Sequence, residues 1–160
     1  MLVINQVLSR LDYCNSLYVN LPKKHLKRLQ IIQNKAARLA TGSSYEERVT
    51  PQLIKLHWLP IKARIAYKVC CLVYVALHMN KPTYLFRLLT PTRTRLFVPR
   101  IKSEYGKRSF SYSGPSIYNS LPPEIKAAGN LLTCKKKLKT HLFTKAYDPQ
   151  RKIINEDFRV

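Results

Sequence analysis

The 160-residue chain predicts a mainly α fold: a small helical bundle, then a short β-hairpin and a helical carboxy-terminal segment. Three observations carry that expectation. Apolar residues recur at helical spacing in long stretches of the chain, most clearly over 26–39, 61–77 and 131–142. Proline and glycine stand where helices start and stop, as with Pro22 and Gly42. Only around Gly106 does the period shorten, with Leu96-Phe97-Val98 on one side and Ser109-Phe110-Ser111-Tyr112 on the other reading as short strands. The expected organisation is a helical bundle over 1–89, a segment of short strands and helices over 90–148, and a flexible tail over 149–160.

The first element is an amphipathic helix from Met1 to about Ser16, with Leu2, Val3, Val7, Leu8, Leu11 and Cys14 near helical spacing. It starts inside the apolar pattern without a capping residue, which suits an internal methionine at the head of a truncated reading frame. The next helix runs from Pro22 to Gly42. Leu26, Leu29, Ile32, Ala36 and Leu39 form its expected inner side, and Lys24, Arg28, Lys35 and Arg38 stand along an outer stripe with Lys23 and Lys27 beside it. At about 1.5 Å of rise per residue, that row is roughly 20 Å long and can follow several phosphates. An ordinary solvated face is the competing reading.

Thr50-Pro51 opens a short helix ending near His57. The single tryptophan, Trp58, lies beside Leu59-Pro60, where a ring fills a core corner more readily than it stacks on a base. Pro60 to Met79 is the most apolar helix. Its apolar run from Val69 to Leu77 is about half of the roughly 20 residues a membrane span needs, so no membrane partner is expected. A further helical segment covers Tyr84 to Leu89. After the polar linker Thr90 to Arg95 comes the hairpin region, where Arg100, Lys102, Lys107 and Arg108 interleave with Tyr105, Phe110 and Tyr112. Cations that hold a backbone beside rings that stack on bases suit a single strand or RNA. The same alternation also makes plain strands with a ring-lined core face, and both readings stand at this point. A short helix to Ser120, a turn from Pro122-Pro123 to Ala128, and a last helix over about Leu131 to Ala146 complete the chain. That last helix has Leu131, Cys134, Leu138 and Leu142 inside and Lys135, Lys136, Lys137, Lys139 and Lys145 outside.

Charge narrows the function classes. With 29 Lys and Arg against 8 Asp and Glu, the net charge is +21, spread over the whole chain. Such a field repels itself unless a polyanion neutralises it. A nucleic acid is therefore the expected partner, ahead of an anionic membrane surface. Cys14, Cys70, Cys71 and Cys134 form no Cys-x-x-Cys pair, and adjacent Cys70 and Cys71 diverge by about 100° on a helix, so no metal site or cofactor is expected. Buried free thiols in a reducing compartment, cytoplasm or nucleus, fit better.

Catalysis is not expected of this chain alone. Two-metal nucleotidyl transfer needs converging carboxylates. The aspartates here are Asp12, Asp148 and Asp157, on separate elements, and Glu46-Glu47 sit in a connection beside Arg48. With 4 glycines there is no phosphate-cradling loop after a strand, and no Ser or Cys has a recognisable activating partner.

Three runs identify a relationship: Ser9-Arg10-Leu11-Asp12-Tyr13-Cys14-Asn15, then Leu56-His57-Trp58-Leu59-Pro60, then Tyr118-Asn119-Ser120-Leu121-Pro122. In this order they resemble the region following the catalytic palm in reverse transcriptases of non-LTR (LINE) retrotransposons of the Jockey and chicken-repeat type. The resemblance covers nearly the whole chain. Leu26, Leu29, Gln33 and Arg38, closing on Thr41-Gly42, then Thr50-Pro51 and Leu59-Pro60, are similar to that family's thumb. Tyr105-Gly106-Lys107-Arg108-Ser109-Phe110-Ser111 and Gly114-Pro115 look like its post-thumb segment, with Tyr118 where the family pattern usually shows Trp. The resemblance implies a thumb-like bundle over 1–89 that grips a template-primer duplex, a catalytically incomplete polymerase fragment, and an apolar edge suited to the absent palm or another protein partner.

Overall fold

A computed structural model describes residues 2–148, with side chains from residue 5 onward. Met1 and the tail expected over 149–160 lie outside the described residues. Within them the secondary structure is helical: α1 (Leu2–Asp12), α2 (Lys23–Thr41), α3 (Val49–Lys55), α4 (Ile61–Met79), α5 (Thr83–Phe86), α6 (Phe110–Asn119), α7 (Pro123–Lys126) and α8 (Leu131–Tyr147), with 3₁₀ turns at Asn15–Tyr18 and Gly106–Arg108. The described residues divide into two compact units that interleave along the chain. The first comprises 2–15, 21–64 and 140–148, and the second 16–20 and 65–139.

In the first unit, α2 packs against α1 and α3. Ala36, Ala37, Leu53 and Trp58 form the buried centre, joined by Val7, Leu8, Ala40, Val49, Leu56 and Tyr147. Small residues on α2 let its neighbours approach, and the Trp58 ring fills the remaining space. Tyr147 Oη donates to the Trp58 carbonyl at 2.6 Å, so the backbone beside that ring is not left unsatisfied. The chain leaves α3 through His57 at φ 51°, with Trp58 N donating to the Leu53 carbonyl. A left-handed residue past the helix end is the usual device for stopping a helix and turning the chain. Here a histidine takes that position at some steric cost.

The inner face of α2 differs from the expected Leu26–Leu29–Ile32–Ala36–Leu39 stripe. Leu26, Gln33, Ala36 and Ala37 are buried, whereas Ile32 is 47% and Leu39 67% exposed. Gln33 is fully enclosed and donates from Nε2 to the Leu59 carbonyl at 2.8 Å. Gln30 donates to Gln33 Oε1 and Asn34 Oδ1 and accepts from the Ile61 backbone N–H. Two glutamines thus satisfy the turn that starts α4, and this rotates the helix so that an amide, not Ile32, faces inward. Asp12 accepts both bonds of an Arg64 Nη1 pair at 2.6 Å, joining α1 to the start of α4.

The second unit is organised around the apolar part of α4. Ile65, Val69, Cys70, Val73, Tyr74 and Ala76 are buried, as are Tyr118, Leu121, Ile125, Ala128, Cys134 and Leu138 from α6 to α8. Tyr74 Oη donates to the Ala128 carbonyl at 2.6 Å. Asn119 clips the preceding chain through two bonds to the Leu96 backbone.

The expected β-hairpin does not form. Ser109-Phe110-Ser111-Tyr112 is the start of α6, and the only bridge among the described residues is the isolated pair Pro91 and Leu96. Pro115 lies inside α6, where it removes a backbone donor. Burial overrides that local cost. Ser113, Gly114, Pro115 and Tyr118 are all enclosed, and a Cβ at Gly114 would stand 3.1 Å from Val73 Cγ2, so glycine permits the close approach of α6 to α4. Ser113 Oγ donates to the Ser109 carbonyl, closing the first turn. The first helix also ends earlier than expected, at Asp12, and Cys14 is exposed with φ 48°, outside the buried-thiol pattern that Cys70, Cys71 and Cys134 follow.

Candidate nucleic-acid interface

Helix α2 presents a surface suited to phosphates. Lys24, Lys27, Arg28 and Lys35 are exposed on the side away from Leu26, Gln33 and Ala37, and Arg38 is half-buried near the helix end. No Asp or Glu occurs between Lys23 and Thr41. Among the described residues, no carboxylate pairs with Lys24, Lys27, Arg28 or Lys35. Cations without a carboxylate partner collect solvent ions, which a polyanion can displace. Ile31, Ile32 and Leu39 stand exposed among the cations, so the face is amphiphilic, a feature that the expected inward position of Ile32 and Leu39 concealed.

Arg38 departs from the simple row. Its Nη2 donates to the Glu47 carbonyl at 3.0 Å, and its guanidinium lies 5.0 Å from the centre of the Tyr45 ring. Its Nε is buried with no hydrogen-bond partner. Gly42, at φ 67° and with its N–H bonded to the Arg38 carbonyl, ends α2 and turns the chain back toward the helix. The result is an open concavity of about 610 Å³ lined by Lys35, Arg38, Leu39, Gly42, Ser43 and Tyr45. Tyr45, an aromatic residue absent from the sequence-predicted set, is the new member. A ring seven positions past an arginine carries no periodic signal, because the turn at Gly42 creates the juxtaposition.

The second predicted cluster lies in the other unit. Arg100 and Lys102 are exposed on irregular chain, while Lys107 and Arg108 fall in the 3₁₀ turn. Lys107 Nζ is 2.5 Å from Glu104 Oε1, and that hydrogen bond, followed by the carboxylate's charge, holds the ammonium pKa above its usual value. The Lys107 carbonyl accepts from Asn20 Nδ2 at 2.7 Å. The Arg108 guanidinium lies 4.7 Å from the Tyr105 ring centre, and its Nε is buried without a partner. Phe110, expected to join the stacking rings, is half-buried and faces Gly114 within α6. Of the three rings, Tyr105 is the one left open, at 79% exposure.

Elsewhere the thiols are set for packing rather than chemistry. Burial, and then the neighbouring Cys71 and Cys134, push the Cys70 thiol far above its usual range. Burial does the same to Cys71 and Cys134. A thiol so held carries almost no thiolate at neutral pH. His57 is exposed, with its ring 5.7 Å from that of Phe143. Among the described residues no three His, Cys, Asp or Glu side chains stand together as metal ligands, and no helix is long and apolar enough to cross a membrane. No protein-family model matches the chain, and neither a curated protein nor a solved structure matches it.

Proposed function

We propose that this chain is a catalytically incomplete piece of a non-LTR retrotransposon RNA-directed DNA polymerase that binds RNA or an RNA–DNA duplex through basic helix faces. The supporting observation is the outer side of α2, where Lys24, Lys27, Arg28 and Lys35 stand exposed without a carboxylate on the helix. A straight row of cations matches the regular spacing of backbone phosphates and reads no base edges, so it supplies affinity without sequence preference. The motif resemblance supplies the identity of the polymerase, and the shortage of carboxylates in the sequence supplies the absence of catalysis.

Fluorescence anisotropy of the purified chain with labelled RNA and RNA–DNA hybrid tests this reading. Binding at about 50 mM salt that weakens steeply with added salt and varies little with sequence is the expected result. No binding at that salt overturns it.

A second reading is favoured by Ile31, Ile32 and Leu39, whose exposure on the same face suits a helical interaction module docking on an absent palm or another protein. It predicts a chain that self-associates in sedimentation and ignores RNA at low salt.

A further inference from the structure

In the concavity at the end of α2, charge, an aromatic ring and an apolar wall meet. Lys35 and Arg38 supply cations, Leu39 the wall and Tyr45 a ring 77% exposed. Its volume of about 610 Å³ lies within the range of roughly 300–1,000 Å³ common to small-ligand sites. Two features argue for a base rather than a phosphate beside the helix end. The last carbonyls of a helix carry partial negative charge, which disfavours an anion beside them. The Ser43 hydroxyl is already engaged by Thr41 and Gln52, at 2.8 and 2.9 Å. Arg38 has Nη2 engaged by the Glu47 carbonyl and Nε buried, so its guanidinium serves mainly to back the Tyr45 ring at 5.0 Å.

Building on the nucleic-acid reading above, we propose that this pocket takes one unpaired nucleobase of a bound strand, stacked on Tyr45 and Leu39, with Lys35 holding that nucleotide's phosphate. Lys35 lies nearly two turns before the helix end at Thr41, where the terminal carbonyls oppose an anion less. A base has a π face whatever its identity, so the pocket adds affinity for an unpaired end without reading sequence. The duplex itself is left to the remainder of the α2 row.

The test uses the full chain with an RNA–DNA hybrid carrying a single unpaired 2-aminopurine, beside the same hybrid with blunt ends. The overhang is expected to bind about tenfold more tightly, with the fluorescence of 2-aminopurine quenched on binding. Tyr45→Phe keeps both effects, because the ring and not the hydroxyl carries them. Tyr45→Ala abolishes both. Tyr45→Leu, which retains apolar bulk, also abolishes quenching and guards against a folding defect in the alanine variant. Equal affinity for blunt and overhanging hybrids, or quenching that survives in Tyr45→Leu, overturns the pocket and leaves the duplex reading standing. Absence of any hybrid binding removes both. Displacement of the overhang base by an equal concentration of free adenosine monophosphate makes this a mononucleotide pocket and overturns the strand-bound assignment.

Discussion

Along α2 the cations project from one regular helix, whereas over residues 100–108 they are divided between irregular chain and a 3₁₀ turn, and two of the four are occupied locally. Lys24, Lys27, Arg28 and Lys35 have their spacing set by helical geometry, and the helix is held from behind by Gln30 and Gln33. In the other stretch, Lys107 is engaged by Glu104 and Arg108 by Tyr105. Equal counts of basic residues therefore do not make equal polyanion surfaces. What matters is how much charge is uncompensated and how firmly its backbone is supported.

The largest effect that tests this contrast is on salt-dependent binding. Replacing Lys24, Arg28, Lys35 and Arg38 together by Gln should lower the slope of log Kobs against log salt by about three to four units, with roughly a hundredfold loss of affinity near physiological salt. The same change at Arg100, Lys102, Lys107 and Arg108 should lower the slope by only about two units. Equal losses from the two sets would break the distinction.

Next in size is the support behind α2. Gln33→Met keeps the side-chain bulk but removes the shorter of two bonds to the Leu59 carbonyl, leaving only Arg64 Nε at 3.2 Å. A loss of about 1 kcal/mol is expected in urea denaturation. A neutral result would show that α2 does not depend on its amide anchor.

Alkaline pH probes the packing of the second unit. Burial, followed by nearby Cys134, Cys70 and Tyr74, pushes the Tyr118 hydroxyl up to about 12, and burial followed by Cys71 pushes Tyr67 to about 12. A folded-state pKa raised above the ordinary 10.0 means the neutral form is the one the fold accepts. The stabilisation is therefore complete below about pH 10 and falls as pH rises toward 12. Melting temperature should drop over that interval, and Tyr118→Phe should flatten part of the drop. A midpoint that stays level to pH 12 would contradict it.

The smallest effect sharpens the comparison at a single carboxylate. Glu104→Gln releases Lys107, so affinity for the hybrid should rise by about twofold and the salt slope by about one unit. No change would mean that Lys107 contributes nothing to binding even when freed.

Much of this fold is written locally. The helices around α2, α4 and α8 follow from apolar spacing and from Pro22 and Gly42 at the boundaries of α2, since backbone hydrogen bonding within a helix involves only near neighbours. The basic row on α2 is equally local: positions three, four and seven apart share a side wherever that helix sits. Which side faces inward is not local. Gln33 is enclosed and Leu39 exposed because the turn before α4 offers a carbonyl and a backbone N–H to be satisfied, and those groups come from 26 and 31 positions further along the chain.

Residues 109–119 show the same limit in secondary structure. Ser109 to Tyr112, with alternating rings, read as strand and the rest as a short helix, yet the helix α6 begins already at Phe110, where Gly114 permits close approach to α4. The pocket at Tyr45 was invisible for a related reason, being created by a chain reversal and not by any repeat. The sequence by itself determined where the long helices α2, α4 and α8 lie, what charge they carry and how that charge is spaced. The tertiary structure alone decided which faces are covered, because burial is settled between distant surfaces that compete to exclude water and pair their polar groups.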